Sequence, residues 1–176
     1  MKMSGNKLPK EYFCRDVLEV APSLLGKYII RKNGSSNLKY IINEVEAYRG
    51  EEDLACHASK GKTDRNRVMY EQGGLVYVYL IYGIHWMLNI VTGEKNHPQA
   101  VLIRGIDKYS GPGRVSQSLM IDKSFYGEDL TRSRRIWIED NDINAEIKKG
   151  PRIGIDYSGS YWSKIPWRFW INGDLL

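Results

Sequence analysis

Tyr77–Asn89, YVYLIYGIHWMLN, decides how the rest of this sequence is read. Two runs rich in β-branched and aromatic residues meet at Tyr82-Gly83, the pattern of a hairpin. Three tyrosines, a histidine, a tryptophan and an asparagine crowd this stretch, more polar-tipped aromatics than core packing demands. A two-residue turn at Tyr82-Gly83 would set Tyr79 against Trp86 and send Asn89 to the opposite face. Tyr79 and Asn89 can line one pocket only if the tip is a three-residue loop, Tyr82-Gly83-Ile84, or holds a bulge. Either geometry leaves Tyr82 exposed at the tip. An aromatic held in water beside a flexible glycine suits a group that enters a stack of bases; a protein-contact tip is the plainer alternative.

Outward from the hairpin, strand-like runs recur at Lys27–Lys32, Leu38–Glu46, Ala100–Arg104, Ile136–Ile138, Arg152–Ile155 and Trp167–Ile171. The turn-rich Asn33–Asn37 separates the first two. A short helix is expected over 16–25, with Asp16 at its start, Gly26 past its end, and Pro22 counting against regularity. A second is expected from Arg114 to Met120, after Gly111-Pro112-Gly113. The polar connection from Glu46 to about Met69 is long enough to suggest a functional loop. The fold class expected is α+β: one domain over residues 1–176, a mostly antiparallel curved sheet, a few flanking helices and a protruding hairpin. Residues 1–12 are expected to be flexible.

At 176 residues, 42% hydrophobic and 27% charged, the chain suits one globular domain. Lysine and arginine outnumber acidic residues 26 to 21, a mild excess that tolerates a polyanionic partner without demanding one. Two cysteines, Cys14 and Cys56, are too few for a four-thiolate zinc site, an iron–sulfur cluster or a disulfide framework. Neither a signal peptide nor a membrane-length apolar run is present, so an intracellular protein is expected, nucleoid-associated in a bacterium or nuclear in a eukaryote.

In Asn43–Tyr48, NEVEAY, strand alternation puts Glu44, Glu46 and Tyr48 on one face and Val45 and Ala47 on the other. A carboxylate beside a phenol can act as a general base next to a stacking wall. From these residues alone a solvated strand edge is the simpler reading. His57 follows Cys56, but neighbours on an extended chain point apart, which disfavours joint ligation or a Cys–His nucleophile. The Lys60–Arg67 run holds four cations and can grip phosphates. His85 and His97 lack supporting ligands, so no metal is assigned.

These segments, in order, resemble the alkyladenine (3-methyladenine, alkylpurine) DNA glycosylase family. The landmarks are EVEAY at Glu44–Tyr48, CH at Cys56–His57, TDRNRVM at Thr63–Met69, YVYLIYGIHWMLN at Tyr77–Asn89 and VLIRG at Val101–Gly105. GPGRVSQSL at Gly111–Leu119, DKSF at Asp122–Phe125 and PRIGI at Pro151–Ile155 complete them. The resemblance implies a single-domain, cofactor-free base-excision enzyme that flips a damaged purine from double-stranded DNA and hydrolyses its bond to the sugar. A monomer is expected because the sequence shows no long interface patch. It implies Glu46 as the carboxylate that activates water, with Arg104 and the backbone carbonyl of Ile153 placing that water. Tyr48, His57 and Tyr79 would sandwich the base, with Ala55 in the same pocket and Asn89 crowding the guanine amino group. Tyr82 would be the wedge in the duplex and Met69 its support, while Lys123, Arg65 and Arg67 would contact the DNA backbone. A glutamate of ordinary acidity, about 4.3, is already ionised at neutral pH, so no tuning of Glu46 is expected. The departures are Ile84-His85-Trp86 after the wedge, where the family is tyrosine-rich, and the compact Ala58–Lys62 loop. Trp162, Trp167 and Trp170 read as core aromatics. The competing reading is a non-catalytic nucleic-acid-binding module that stacks through the hairpin; a strand-rich RNA-binding domain lacks its glycine-aromatic signature.

Overall fold

The computed structural model describes residues 6–141, 143 and 145–172. Four short helices flank the strands: α1 (Lys10–Phe13), α2 (Val17–Leu24), α3 (Pro112–Ser118) and α4 (Gly159–Trp162). The strands are β1 (Tyr28–Asn33), β2 (Ser36–Arg49), β3 (Val76–Ile81), β4 (His85–Thr92), β5 (Gln99–Ile106), β6 (Tyr109–Ser110), β7 (Ile136–Glu139), β8 (Lys148–Gly150) and β9 (Arg168–Trp170). They form one antiparallel sheet in the order β3-β4-β5-β2-β1-β7, with β6 beside β5 and the β8–β9 pair beside β2. This is the α+β architecture expected from strand alternation.

β2 positions the site. Its first half pairs with β1, and after a register shift at Ile42–Val45 its second half pairs with β9, while β5 runs along its other side. The irregularity faces Gly105, where a Cβ would lie 2.3 Å from the Asn43 side chain and 3.0 Å from that of Glu44, so only glycine admits the close approach. One sheet face carries Val45, Ala47, Val76, Val78, Leu88, Ile90, Val101 and Ile103 into the main core. That core is closed by Phe13 of α1, Val17, Val20, Ala21 and Leu24 of α2, and Val115 of α3. Asp16 caps α2 by accepting from the Leu18 amide at 2.9 Å, and Pro22 lies inside the helix, which tolerates it at eight residues.

Three expectations change. Residues 6–12, expected to be flexible, are packed: Leu8 is buried, Lys7 bridges to Glu139, and α1 begins at Lys10. Residues 1–5 lie outside the described residues. Arg152–Ile155 is not a strand; the strand falls at Lys148–Gly150, and Gly154 turns the chain with φ of 76°. Trp167 packs against the main core as expected and also faces Arg152, whereas Trp170 is half-buried over Arg168 and is the partner of a charged group. Among the described residues no helix is long and apolar enough to cross a membrane.

Candidate active site

The hairpin register fixes which side chains meet. Tyr77 pairs with Asn89, Tyr79 with Met87 and Ile81 with His85, leaving Tyr82-Gly83-Ile84 as a three-residue tip. The Ile84 amide donates to the Ile81 carbonyl at 3.1 Å, and Tyr82 and Gly83 take φ of 51° and 68°. Asn89 in turn pairs with Leu102, and Leu102 with Glu46. Because paired residues share a face, Tyr77, Asn89, Leu102 and Glu46 form one row across four strands, opposite the main core. Tyr48 and Ala100 form the neighbouring pair.

Glu46 is fully buried, not on a solvated edge, since strands flank β2 on both sides. Its Oε2 accepts from the Tyr48 hydroxyl at 2.8 Å and its Oε1 from the Ile153 amide at 2.7 Å. Arg104 Nε lies 3.6 Å from Glu46 Oε1 and 3.3 Å from Glu44 Oε1, which also accepts from Arg168 at 3.0 Å. Burial raises the Glu46 carboxyl above its ordinary value, against the opposing pull of Arg104, the Ile153 amide and the Tyr48 hydroxyl. The expectation of an untuned glutamate is therefore corrected: desolvation of its charge outweighs its partners. Tyr48, buried beside that carboxylate, is held well above the usual phenol range and stays a donor.

Tyr48, Ala55, His57, Met69, Tyr77, Tyr79, Asn89, Ala100 and Tyr157 enclose a cavity of about 40 Å³ beside this cluster. The His57 and Tyr79 rings are 4.5 Å apart, and His57 Nδ1 is hydrogen-bonded to the Tyr77 hydroxyl at 2.8 Å. Burial, helped by the charge of Arg65, lowers His57 to about 4, so the ring is neutral at pH 7. Asn89 Nδ2 donates to the Tyr77 and Met87 carbonyls at 3.2 and 3.4 Å, which holds the amide against the wall.

Two devices hold the loops that complete the cavity. Asn66, buried, donates to the His57 and Gly61 carbonyls and accepts from the Thr63 amide, fixing the turn that carries His57. Asp53 accepts from the Arg49 and Ala55 amides and pairs with Arg152. The Arg152 guanidinium also lies 4.8 Å from the Tyr48 ring and 5.1 Å from that of Trp167. The segment carrying Ile153 and Tyr157 is thereby bolted to the loop carrying Ala55.

Comparison with known proteins matches this chain to the family model described as methylpurine-DNA glycosylase, over residues 11–109 and 107–175. The chain belongs to the methylpurine-DNA glycosylase family. Relatives provisionally named 3-methyladenine DNA glycosylases occur in Methanocella arvoryzae, 40% identical over 93% of this chain and 91% of the relative, and in Natranaerobius thermophilus, 39% identical over 94% and 95%. One from Legionella pneumophila is 40% identical over 94% of both chains. Family membership places this chain among DNA glycosylases, hydrolases of N-glycosyl bonds.

Within this glycosylase scaffold the expected site residues are brought together unevenly. Glu46, Arg104, Tyr48 and Ile153 meet, and Ala55, His57, Tyr79 and Asn89 line the cavity. Ile153 meets Glu46 through its amide, a contact separate from the water-holding role expected of its carbonyl. Met69 is buried in the cavity wall with Cys56, Ala58 and Val68, whereas Tyr82 is 87% exposed at the hairpin tip. Arg65, Arg67 and Lys123 are exposed, and Arg65 also stands 5.1 Å from the Tyr79 ring. Burial pushes the Cys56 thiol up to about 12, which leaves no thiolate nucleophile beside His57. Reading the sequence missed Glu44, Asp53, Tyr77, Arg152, Tyr157 and Arg168. Glu44 and Tyr77 had a signal, since each lies two residues from a chosen residue on the same strand face.

Proposed function

We propose that this protein is a monofunctional DNA glycosylase of base excision repair, which flips alkylated or deaminated purines from duplex DNA and hydrolyses their N-glycosidic bond. Its relatives are named for 3-methyladenine, which makes that lesion the first substrate to test. The observation that carries the reading is Glu46, a fully buried carboxylate held by Tyr48, Ile153 and Arg104 beside an aromatic cavity. Burying a charge is costly, and a carboxylate retained there is suited to chemistry more than to stability.

In this mechanism Glu46 takes a proton from water as the water oxygen bonds to the anomeric carbon. The C–N bond breaks with its electron pair going to the base, so that a cationic N-alkylpurine leaves neutral and a deaminated purine leaves after taking a proton from solvent. The negative charge of Glu46 stabilises the oxocarbenium character of the sugar. Arg104 keeps the carboxylate oriented and helps place the water. Tyr48, His57 and Tyr79 stack on the base. Tyrosine faces favour a cationic N-alkylpurine by about 0.5–2 kcal/mol, and a neutral His57 does not repel it. Tyr82 fills the gap in the duplex, Asn89 disfavours guanine, and Lys123, Arg65 and Arg67 meet phosphates. The protein acts as a monomer on DNA inside the cell and needs no cofactor.

Single-turnover incubation with methylated DNA and with a duplex carrying one hypoxanthine or ethenoadenine, followed by alkali to reveal abasic sites, tests this reading. Base release by the wild type and none by Glu46→Gln is expected. Binding without release from any substrate would leave a stacking module in its place.

A further inference from the structure

Glu46, Arg104, Glu44 and Arg168 stand in a row of alternating charge that runs outward from the base. Arg104 Nε donates to Glu44 Oε1 at 3.3 Å and stands 3.6 Å from Glu46 Oε1, so its hydrogen bond goes to the outer carboxylate. Arg168 Nη1 donates to the same Glu44 oxygen at 3.0 Å, and its Nε donates to the Pro151 carbonyl at 2.9 Å. Pro151 leads into the Ile153 amide that Glu46 Oε1 accepts from. Both groups beside that oxygen are therefore tied outward to Arg168.

The backbone is shaped for this row. Glu44 pairs with Gly105 and Val45 with Ile103, which leaves Arg104 as an extra residue on β5, and such a bulge re-aims a side chain. On its other side Glu44 pairs with Trp170, whose ring lies 4.4 Å from the Arg168 guanidinium. Gly150 leaves that ring room, since an added Cβ would meet it at 3.2 Å. The Glu44 and Arg104 side chains are mostly buried, so salt screens their attraction weakly. Of the other ionisable groups near Glu46, Tyr48 of β2, Tyr79 of β3 and Tyr157 after β8 are phenols that burial keeps protonated. Arg152 is matched by Asp53. That leaves Glu44, Arg104 and Arg168 to set the field at the base.

We propose that Glu44 and Arg168 are positioning residues for base release: they hold Arg104 beside Glu46 but off its carboxylate, which stays free to take a proton from water. The inference rests on the glycosylase reading and adds to it a control on the strength of the base. With Arg104 closed onto it, the carboxylate would be a matched ion pair and a weaker base.

The test is single-turnover release of 3-methyladenine from methylated DNA, a cationic base that needs no proton to leave, followed as a function of pH. Glu44→Gln frees Arg104 for Glu46, so the acidic limb should move down by about 1 pH unit and the plateau should fall. Arg168→Gln leaves Glu44 with Arg104 alone and draws that guanidinium farther from Glu46, so the limb should move up by about as much. Arg168→Lys keeps the charge and should bring the limb back towards the wild type. Thermal unfolding verifies folding, and if one variant does not fold, the sign of the other's shift decides. Limbs that stay at the wild-type position, or move the same way in Glu44→Gln and Arg168→Gln, would overturn the clamp and spare the glycosylase. Absence of release by the wild type would overturn both.

Discussion

Arg152 and Asp53, 99 positions apart in sequence, form a two-pronged ion pair at 2.6 and 2.9 Å with both side chains fully buried. The pair joins the segment that reaches Glu46 through Ile153 to the loop that supplies Ala55 and His57. Breaking one partner of a buried pair strands the other charge, at a cost of about 3–5 kcal/mol. Arg152→Ala should therefore lower stability by that amount in denaturant unfolding, and Tm by roughly 6–20 °C for a chain of this size. Arg152→Lys should recover little, because an ammonium cannot reproduce the planar fork between Tyr48 and Trp167. Wild-type stability in Arg152→Ala would show that the pair is dispensable.

Glu46→Gln keeps the shape of the side chain and removes the base. Single-turnover base release should fall by at least about 10²- to 10⁴-fold, with DNA binding retained. Undiminished release would move the water-activating role elsewhere.

The raised Glu46 carboxyl has two pH signatures. The acidic limb of the base-release profile should lie above the ordinary glutamate value of about 4.3. Between that value and the folded one, the folded chain holds a proton that the unfolded chain has released, so this residue's contribution to stability falls as pH rises through the window. Urea titrations of wild type and Glu46→Gln across that range should diverge in this direction.

His57 runs the opposite way. It is lowered from 6.5 to about 4, so between those values the unfolded chain binds a proton that the folded chain refuses. Stability should therefore fall as pH drops from 6.5 towards 4, and His57→Gln should flatten that slope. An unchanged slope in the variant would assign the acid sensitivity to other groups.

Tyr82 combines high exposure with φ of 51°, a left-handed conformation that costs a non-glycine residue about 1–2 kcal/mol. Tyr82→Gly should leave stability equal or slightly higher while reducing excision of well-paired lesions more than of mispaired ones. Equal losses on both substrates would count against the wedge. For Asn89→Ser, which removes the amide held on the Tyr77 and Met87 carbonyls, the expected outcome is relaxed rejection of guanine, read from release rates on adenine- and guanine-derived lesions.

Strand alternation was enough to place Glu44, Glu46 and Tyr48 on one face, and hairpin arithmetic reduced the tip to geometries that the three-residue loop then satisfied. The ordered motifs carried the family, and with it most cavity residues. Sequence periodicity states which residues share a face, because alternation is a local property of an extended chain. What covers that face depends on segments far along the chain. Glu46 reads as an exposed edge until β9, more than 120 residues later, pairs beside it and burial raises its carboxyl. The Asp53–Arg152 bolt, the amide of Ile153 on Glu46 and the Tyr157 hydroxyl on Ala55 likewise join residues about a hundred positions apart. Alternation chose the sheet and its faces and the ordered motifs carried the family; burial and long-range contact decided the acidity of Glu46 and the walls of the cavity beside it.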